Sequence, residues 1–281
     1  MGKRFEIFHH IDQSTIDLMF REYSPVFVLT TGRSGSKLIH QIFSSCPDIV
    51  SHHEAFPTLQ YYSNFAYHNQ YQLGVLKGMF LAARMEMILE IFNNRKIFCE
   101  SNQCLTFYAE AILQIFPRAK FVHLIRHPGS FIRSAIQKGW HLNDSIWESG
   151  RIKMTDTHEW AKLSQIQKLA WVWHATNKYI YDFCISANKE RCLIVKLEDI
   201  LRIPDILESL LLFAGSKCIL SLQQICELQE TKINELLIHA CEPSNMYKIR
   251  NYPVYEKWSD LEKESINEYL IELANIYGYE L

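Results

Sequence analysis

The chain has 281 residues, of which 48% are hydrophobic, enough to bury the core of one large domain or two small ones. Its formal net charge of −2 gives no sign of a surface that binds polyanions, although it allows a local basic site. The eight cysteines are scattered without a CxxC pair, which is typical of reduced thiols and argues against a zinc site or a disulfide framework.

The amino-terminal residues MGKRFEIFHH contain no apolar stretch of the kind that forms the core of a signal peptide. Nowhere do about 18 or more apolar residues follow one another, so no membrane span is predicted. We therefore expect a cytoplasmic protein in which residues 1–21 form an extension ahead of the first strand.

The strongest local signal is the stretch 26–37, which reads VFVLTTGRSGSK. Four apolar residues predict a buried parallel strand, and the apolar run that starts at Leu38 predicts a helix after the turn. Glycines let backbone N–H groups approach a ligand, and the N-terminus of a helix favours negative charge. With Arg33 and Lys37 as cations, the turn predicts a cradle for phosphate or a similar anion.

This turn matches neither of two common nucleotide-binding motifs. Gly32 and Gly35 are three residues apart and Leu38 follows Lys37, which departs from the GxxxxGK[ST] pattern of kinases. Two residues separate the glycines, which departs from the GxGxxG of dinucleotide-binding proteins. Alternatively, this stretch is an ordinary glycine-containing turn between a strand and a helix that binds no ligand.

The segment 51–57, SHHEAFP, places a carboxylate after a short extended stretch. Transfer of a group to an alcohol needs a base that takes the hydroxyl proton, and Glu54 is the candidate. His53 and His52 are alternatives because imidazole titrates near neutrality. Alternatively, this segment is a surface loop whose carboxylate takes no part in chemistry.

Strand and helix signals alternate along the chain and predict an α/β fold, a parallel sheet flanked by helices, with a helical C-terminal part. The predicted strands are 26–29, 96–99, 121–125 and 192–196, and the predicted helices are 37–45, 73–92, 106–116, 130–138 and 159–187. Because no repeat or flexible linker interrupts the pattern, we expect one domain over residues 1–281.

Two aromatic-rich segments, 55–92 and 139–160, interrupt the alternation and are predicted insertions at the acceptor site. Parallel sheets bind ligands at the carboxyl ends of their strands, so these segments are expected to cover that edge as a lid or acceptor wall. Glu100 ends a predicted strand at the same edge. It is expected either to function there or to balance the charge of Arg33 or Arg126.

A second motif lies at residues 121–137, FVHLIRHPGSFIRSAIQ. An apolar strand ends before Arg126, Pro128 takes the favoured first position of a helix, and Ser134 lies two helical turns further on. A guanidinium and a hydroxyl placed in this way can converge on one phosphate. Alternatively, Arg126 caps a helix and Ser134 is an ordinary surface residue.

Together, the TGRSGS loop and LIRHP with a serine eight residues after its arginine resemble the sulfotransferases that use 3′-phosphoadenosine 5′-phosphosulfate (PAPS). The resemblance extends over about residues 22–281 through FPRAKFVHLIRHP, VKLEDI and KWSDLEKESINEYLIELANIYGYE. Arg33 stands where aryl-type members, which read PKSGTTW, have lysine, so the loop is more similar to carbohydrate and bacterial members.

The resemblance implies a fold like that of P-loop nucleotide kinases and a role for each motif. The residues implied for the 5′-phosphosulfate are Arg33, Ser34, Gly35, Ser36 and Lys37, and those implied for the 3′-phosphate are Arg126 and Ser134. Carbohydrate-type members use a glutamate near the position of Glu54. Two departures stand out: the aryl-type KxHxP segment has no counterpart, and Leu197 replaces the tyrosine of YEDL, so the residue that stacks on adenine is left open.

The implied activity is PAPS-dependent sulfuryl transfer to a hydroxyl or amine of a small-molecule acceptor by in-line displacement. Glu54 or His53 would activate the acceptor, while Arg33 and Lys37 would stabilise charge on the leaving oxygen. PAPS is then the co-substrate and no metal is expected, because no predicted strand ends in the aspartate that holds magnesium in P-loop enzymes.

The acceptor is less defined than the donor. The aromatic segments favour a planar or sugar-like molecule, whereas five acids would favour a cationic one: Glu54, Asp144, Glu148, Asp156 and Glu159. We expect a bacterial enzyme of small-molecule or natural-product metabolism with no nucleic-acid or membrane partner, and no pattern indicates its oligomeric state. Alternatives are an ATP-dependent small-molecule or nucleoside kinase and a non-catalytic nucleotide-binding protein of the same fold.

Overall fold

The computed structural model describes residues 12–142, 148, 150–221, 223–224, 227–228 and 252–281. Outside the described residues lie 1–11 of the predicted extension, a stretch of the predicted C-terminal part, and Asp144 and Trp147 of the second predicted insertion.

Five parallel strands form one sheet in the order β2-β3-β1-β4-β5. They are β1 Val26–Leu29, β2 Ile49–His53, β3 Ile97–Ser101, β4 Lys120–Ile125 and β5 Cys192–Lys196. The central strand β1 pairs with β3 on one side and β4 on the other, so the segments that follow these strands leave at one edge of the sheet. The predicted α/β fold with a parallel sheet is confirmed.

Helices cover the sheet, and the predicted helical C-terminal part is present. The α-helices described are α1 Gln13–Glu22, α2 Ser36–Ser44, α3 Gln60–His68, α4 Leu73–Asn93, α5 Ala109–Ile115, α6 Pro128–Gln137, α7 Thr157–Lys162, α8 Gln165–Ser186, α9 Leu197–Ile200, α10 Pro204–Ala214 and a C-terminal helix Asp260–Ile276. The 3-10 helices described are Gln103–Tyr108, Lys189–Arg191 and Tyr255–Lys257. None of the helices among the described residues is long and apolar enough to cross a membrane.

The prediction of one helix over residues 159–187 is wrong, because the chain breaks there into α7 and α8. Ser164 is the N-cap of α8, and its hydroxyl and the Gln167 side chain form a capping box. The prediction also omitted β2, an edge strand whose five residues include Ser51, His52 and His53 and therefore lack an apolar run.

The two faces of the sheet bury different residues of β1. Phe27 and Leu29 lie in a large aromatic-rich core on one face, whereas Val26 and Val28 lie in a second cluster on the other face. This alternation explains why β1 reads as a continuous apolar run, since a strand covered on both sides has no solvent-facing position.

A buried histidine in β4 links the sheet to the C-terminal residues. His123 Nε2 lies 2.9 Å from Asn177 Oδ1 of α8, and the Tyr277 hydroxyl lies 3.4 Å from Nδ1. Burial lowers the pKa of His123 from 6.5 to about 4, so the imidazole is neutral near pH 7. The neutral ring then donates to Asn177 and accepts from Tyr277.

This lowered pKa predicts a loss of stability in acid. An unfolded histidine gains its proton below about pH 6.5 and the folded one only near pH 4, so its stabilising effect is complete above about pH 6.5 and is lost as the pH falls to about 4. Between about pH 6.5 and about pH 4, we expect the free energy of unfolding measured by urea titration to fall by about 3 kcal/mol less in the His123→Gln variant than in the wild type. Equal losses in the two proteins would contradict the assignment.

Candidate active site

The loop after β1 forms an open cradle of backbone amides. Gly32, Arg33 and Gly35 all have positive φ angles, of 75°, 54° and 96°, and α2 begins directly after Gly35. The N-cap residue of α2 is Gly35, which has no side chain that could cap the helix. Because the first N–H groups of a helix have no intrahelical acceptor, this turn is built to receive an anion.

Side chains pack closely against both glycines, in addition to their positive φ angles. A Cβ on Gly35 would lie 2.4 Å from Leu197 Cδ1, and a Cβ on Gly32 would lie 2.0 Å from Gln103 Oε1. Leu197, the residue that replaces the tyrosine of the YEDL segment, is buried and packs against the loop. Gln103 begins the 3-10 helix that follows β3 and covers Gly32.

We expect Gly35→Ala to lower the free energy of unfolding by about 1–2 kcal/mol, because alanine is strained at this φ and its methyl group meets Leu197. Gly78→Ala is the matched control, since a Cβ there meets nothing within 4 Å inside α4 and should be neutral or stabilising. Urea titration measures both changes. An equal effect of the two substitutions would contradict the role of Gly35.

The remaining side chains of the loop divide into inward and outward groups. Ser34 is buried, with its Oγ 3.1 Å from Gly32 O and 2.9 Å from Thr31 Oγ1, so its hydroxyl braces the loop. Ser36 is half-buried and Lys37 is exposed in the first turn of α2. The amides of the cradle and the cation of Lys37 therefore lie at the same helix start.

Two motifs that are far apart in the sequence meet at Arg33. Its Nε donates to Ser134 Oγ at 3.1 Å, and Arg126 Nη1 donates to Arg33 O at 2.8 Å. Arg126 directly follows β4 and Ser134 lies in α6, so the pairing of β1 with β4 brings both to the loop. The structure thus places the three predicted anion-binding side chains Arg33, Arg126 and Ser134 in one site.

The site carries concentrated positive charge. Burial lowers the pKa of Arg33, an effect that Glu54 opposes and Arg151 adds to. Burial also lowers the pKa of Arg126 to about 10, opposed by Glu198 and reinforced by Arg33, so both arginines stay charged at neutral pH. Among the described residues, neither guanidinium has a carboxylate oxygen within 4.0 Å. An incoming anion would supply the missing counter-charge.

Three contacts brace Arg126 and its neighbour from other elements. Trp173 Nε1 donates to Arg126 O at 3.0 Å, and Glu198 Oε1 accepts from His127 N at 3.0 Å. The hydroxyl of Tyr279 donates to the other Glu198 oxygen, also at 3.0 Å. No local sequence signal in α8 distinguishes Trp173 as the residue whose indole supports the arginine.

The candidate base lies at the end of β2. Glu54 is exposed with a φ of 49°, and its N–H donates to Ser101 O at 3.2 Å. His53 Nδ1 lies 3.0 Å from both the carbonyl and the hydroxyl oxygen of Ser101. His52 stacks on Phe98 at 5.6 Å between ring centroids, facing the core, which makes it the poorest of the three candidates.

Glu100 pairs with neither Arg33 nor Arg126, which is one of the two roles that the sequence leaves open for it. It is fully buried and pairs with Arg84 of α4, with Nε 2.6 Å from Oε2. The physical reason is that its side chain points from β3 into the core beneath the site, where it meets a guanidinium that the helix also buries. The sequence signal for this pair is the lone Arg84 within the apolar stretch MFLAARMEMIL.

A partly open cavity of about 40 Å³ lies beside the loop at the end of β1. Its walls come from both predicted insertions and the 3-10 helix, and include Gln60, Ser63, Gln103, Trp140 and Arg151. Thr30 also lines it, and the Thr30 hydroxyl is buried without a hydrogen-bond partner among the described residues. In a cavity of this size, a bound water or a polar group of a ligand would satisfy that hydroxyl.

The described acids of the second predicted insertion are already engaged. Glu148 lies 2.7 Å from Arg151 Nε, and Arg151 in turn stacks 3.6 Å above the ring of Trp140. Asp156 is the N-cap of α7, and Glu159 lies 2.7 Å from Lys162 Nζ. Among the described residues, no group of three or more His, Cys, Asp or Glu side chains is placed to hold a metal ion.

A family model described as "Sulfotransferase family" matches residues 25–216 of the chain. This range includes the loop after β1, the turn after β2 and the Arg126–Ser134 motif. No curated protein sequence matches the chain significantly.

Solved sulfotransferase structures share the fold at low sequence identity. The sulfotransferase domain from the curacin biosynthetic pathway is 17% identical with a TM-score of 0.52, over 93% of this chain and 99% of that one. The sulfotransferase domain of the Synechococcus PCC 7002 olefin synthase is 16% identical with a TM-score of 0.52, over 92% and 97%. Mouse sulfotransferase SULT7A1, complexed with PAP, is 9% identical with a TM-score of 0.52, over 95% and 90%.

Proposed function

The chain belongs to the sulfotransferase family, and on this premise we propose that it transfers a sulfuryl group from PAPS to a hydroxyl or amine of a small molecule. The observation that carries the proposal is the convergence of Arg33, Arg126 and Ser134 beside a helix start whose N-cap is a glycine. Two separate anion-binding features on one edge suit a nucleotide with phosphate groups at both its 5′ and 3′ positions.

The donor groups present fit such a nucleotide. At Gly32 and Gly35 a Cβ would meet neighbouring side chains, so only the backbone lines the cradle there. The guanidinium groups of Arg33 and Arg126 have no close carboxylate among the described side chains. We assign the 5′-phosphosulfate to residues 33–37 and the 3′-phosphate to Arg126 and Ser134. Arg33 contacts Ser134, so it belongs to both groups and would set the spacing between them.

When bound, PAPS supplies an activated sulfuryl group whose leaving group is the phosphate oxygen of adenosine 3′,5′-bisphosphate (PAP). Lys37 and the loop amides stabilise the negative charge on that oxygen. Glu54 accepts the proton of the acceptor hydroxyl, with His53 as the alternative base on the same turn. Arg126 and Ser134 hold the nucleotide in register, which is the positioning that such transfers depend on.

The cavity beside Thr30 is the proposed acceptor site. Its walls combine apolar side chains such as Phe107 and Trp140 with polar ones such as Gln60 and Gln103, and they suit a small molecule that carries both apolar surface and polar groups. Glu148 and Glu159 are each paired with a cation, so a cationic acceptor gains little from them. With Arg151 in the wall, we propose a neutral or anionic hydroxyl compound.

An acceptor screen tests the proposed function. The protein is incubated with PAPS and a panel of neutral, anionic and cationic alcohols and amines, and PAP release and the mass of the product are measured. We expect acceptor-dependent PAP release with addition of one sulfuryl group, strongest for the neutral and anionic alcohols. PAP release that no acceptor accelerates would count against this function.

A further inference from the structure

A buried ion pair lies beneath the turn that carries Glu54. The side chains of Arg84 and Glu100 have no exposed surface. Two parallel hydrogen bonds join them, from Nε to Oε2 at 2.6 Å and from Nη2 to Oε1 at 2.8 Å. This bidentate arrangement is the strongest geometry available to an arginine and a carboxylate.

The same guanidinium also holds the backbone of the turn. Arg84 Nη2 donates to Ala55 O at 3.0 Å, and Nη1 donates to Pro57 O at 3.0 Å. Ala55 directly follows Glu54, so the chain on the C-terminal side of the candidate base is tied to α4. On its N-terminal side, Glu54 donates to Ser101 O, and Ser101 directly follows Glu100.

Stability alone does not account for this arrangement. A buried ion pair gives little net stability compared with apolar side chains of similar size, because both charges lose their water. The turn, however, needs external support: Glu54 has a φ of 49°, a left-handed conformation that costs a residue with a Cβ about 1–2 kcal/mol. Such conformations persist where surrounding contacts fix them, and they concentrate at functional sites.

The carboxylate of Glu100 extends the network towards the anion cradle. Asn102 Nδ2 donates to Glu100 Oε1 at 3.0 Å, and Asn102 Oδ1 accepts from Cys104 N at 2.9 Å. Gln103 lies between these two residues and covers Gly32 of the loop. The pair therefore fixes the turn of the candidate base directly, and it reaches the segment beside the cradle only through Asn102.

We propose that Arg84 and Glu100 are positioning residues that hold the Glu54 carboxylate at a fixed place relative to the cradle. Neither is exposed, so neither reaches substrate, and both act through the turn 54–57. The inference rests on the proposed function insofar as it takes Glu54 to be the base.

The test replaces both members of the pair, because removing one leaves a buried charge that endangers folding. In the variant Arg84→Met with Glu100→Leu, both charges and both contacts to the turn are absent. We expect it to fold and to bind PAP within about twofold of the wild type, while kcat falls at least about tenfold from loss of base positioning. An unchanged kcat would overturn the inference.

A double-mutant cycle with Glu54→Gln separates positioning from general damage. If the pair acts through Glu54, adding the pair replacement to Glu54→Gln should cause no further loss of kcat. Losses that multiply would mean that the pair supports the fold only, and would overturn the inference.

Hydrogen exchange gives a readout that does not depend on activity. In peptides that contain Glu54, we expect exchange at least about tenfold faster in the pair variant, with unchanged exchange in peptides from α8. Unchanged exchange at Glu54 would overturn the inference. If the wild type transfers no sulfuryl group but exchange at Glu54 is still faster in the pair variant, the proposed function is rejected. The role of Arg84 and Glu100 in holding the turn 54–57 is then still supported.

Discussion

The Arg126→Ala variant should bind PAP about 30-fold to 1,000-fold more weakly than the wild type, equivalent to about 2–4 kcal/mol. The guanidinium is mostly buried and faces no carboxylate within 4.0 Å among the described residues, so its attraction for a phosphate is weakly screened. Alanine also removes the donor to Arg33 O and releases one side of the loop. Isothermal titration calorimetry with PAP measures the change.

Two further variants sharpen this result. Arg126→Lys keeps the charge but not the bidentate geometry, so we expect an intermediate affinity. Arg118 lies just before β4, at the opposite edge of the sheet, where it pairs with Glu22. The Arg118→Ala variant should therefore leave the affinity for PAP unchanged. If all three variants bound PAP like the wild type, Arg126 would not contact the nucleotide.

The Glu54→Gln variant should lower kcat by about 10²-fold to 10⁴-fold, the usual contribution of a positioned general base. Glutamine keeps the size of the side chain but cannot take a proton at neutral pH. Because Glu54 lies on the turn after β2 and not in the cradle, the affinity for PAP should change little. Initial rates of PAP release with an acceptor from the screen, together with calorimetry, separate the two effects.

His53→Gln is the matched control, since His53 is the adjacent residue and the alternative base. We expect it to keep most of the activity, because Ser101 already engages its Nδ1. The reverse outcome, an active Glu54→Gln and an inactive His53→Gln, would transfer the role of base to the histidine.

The sequence predicts those parts of the fold that local chemistry determines. Buried parallel strands such as β1 and β4 read as apolar runs because helices cover both faces of the sheet. The spacing of Gly32 and Gly35 predicts the cradle because few turns place two glycines between a buried strand and a helix. Ser134 is predictable as well, since it follows Arg126 by a fixed helical distance.

The parts that the sequence does not predict depend on contacts between distant residues. The edge strand β2 is half-buried and polar, so it lacks the pattern that marks the central strands. The partner of Glu100 lies in α4, and only packing of that helix against β3 reveals it. Likewise, Trp173 and Tyr279 reach the Arg126 segment from α8 and the C-terminus, which no local motif indicates.

The central claim is that this site binds a nucleotide with separate 5′ and 3′ phosphate groups and transfers a sulfuryl group from it. The most direct measurement is calorimetry of the wild type with PAP, with adenosine 5′-monophosphate and with ATP plus magnesium. We predict that PAP binds at least about tenfold more tightly than either of the others, because only PAP reaches both the cradle and the Arg126–Ser134 pair. No binding of PAP, or equal affinities for PAP and adenosine 5′-monophosphate, would contradict the account.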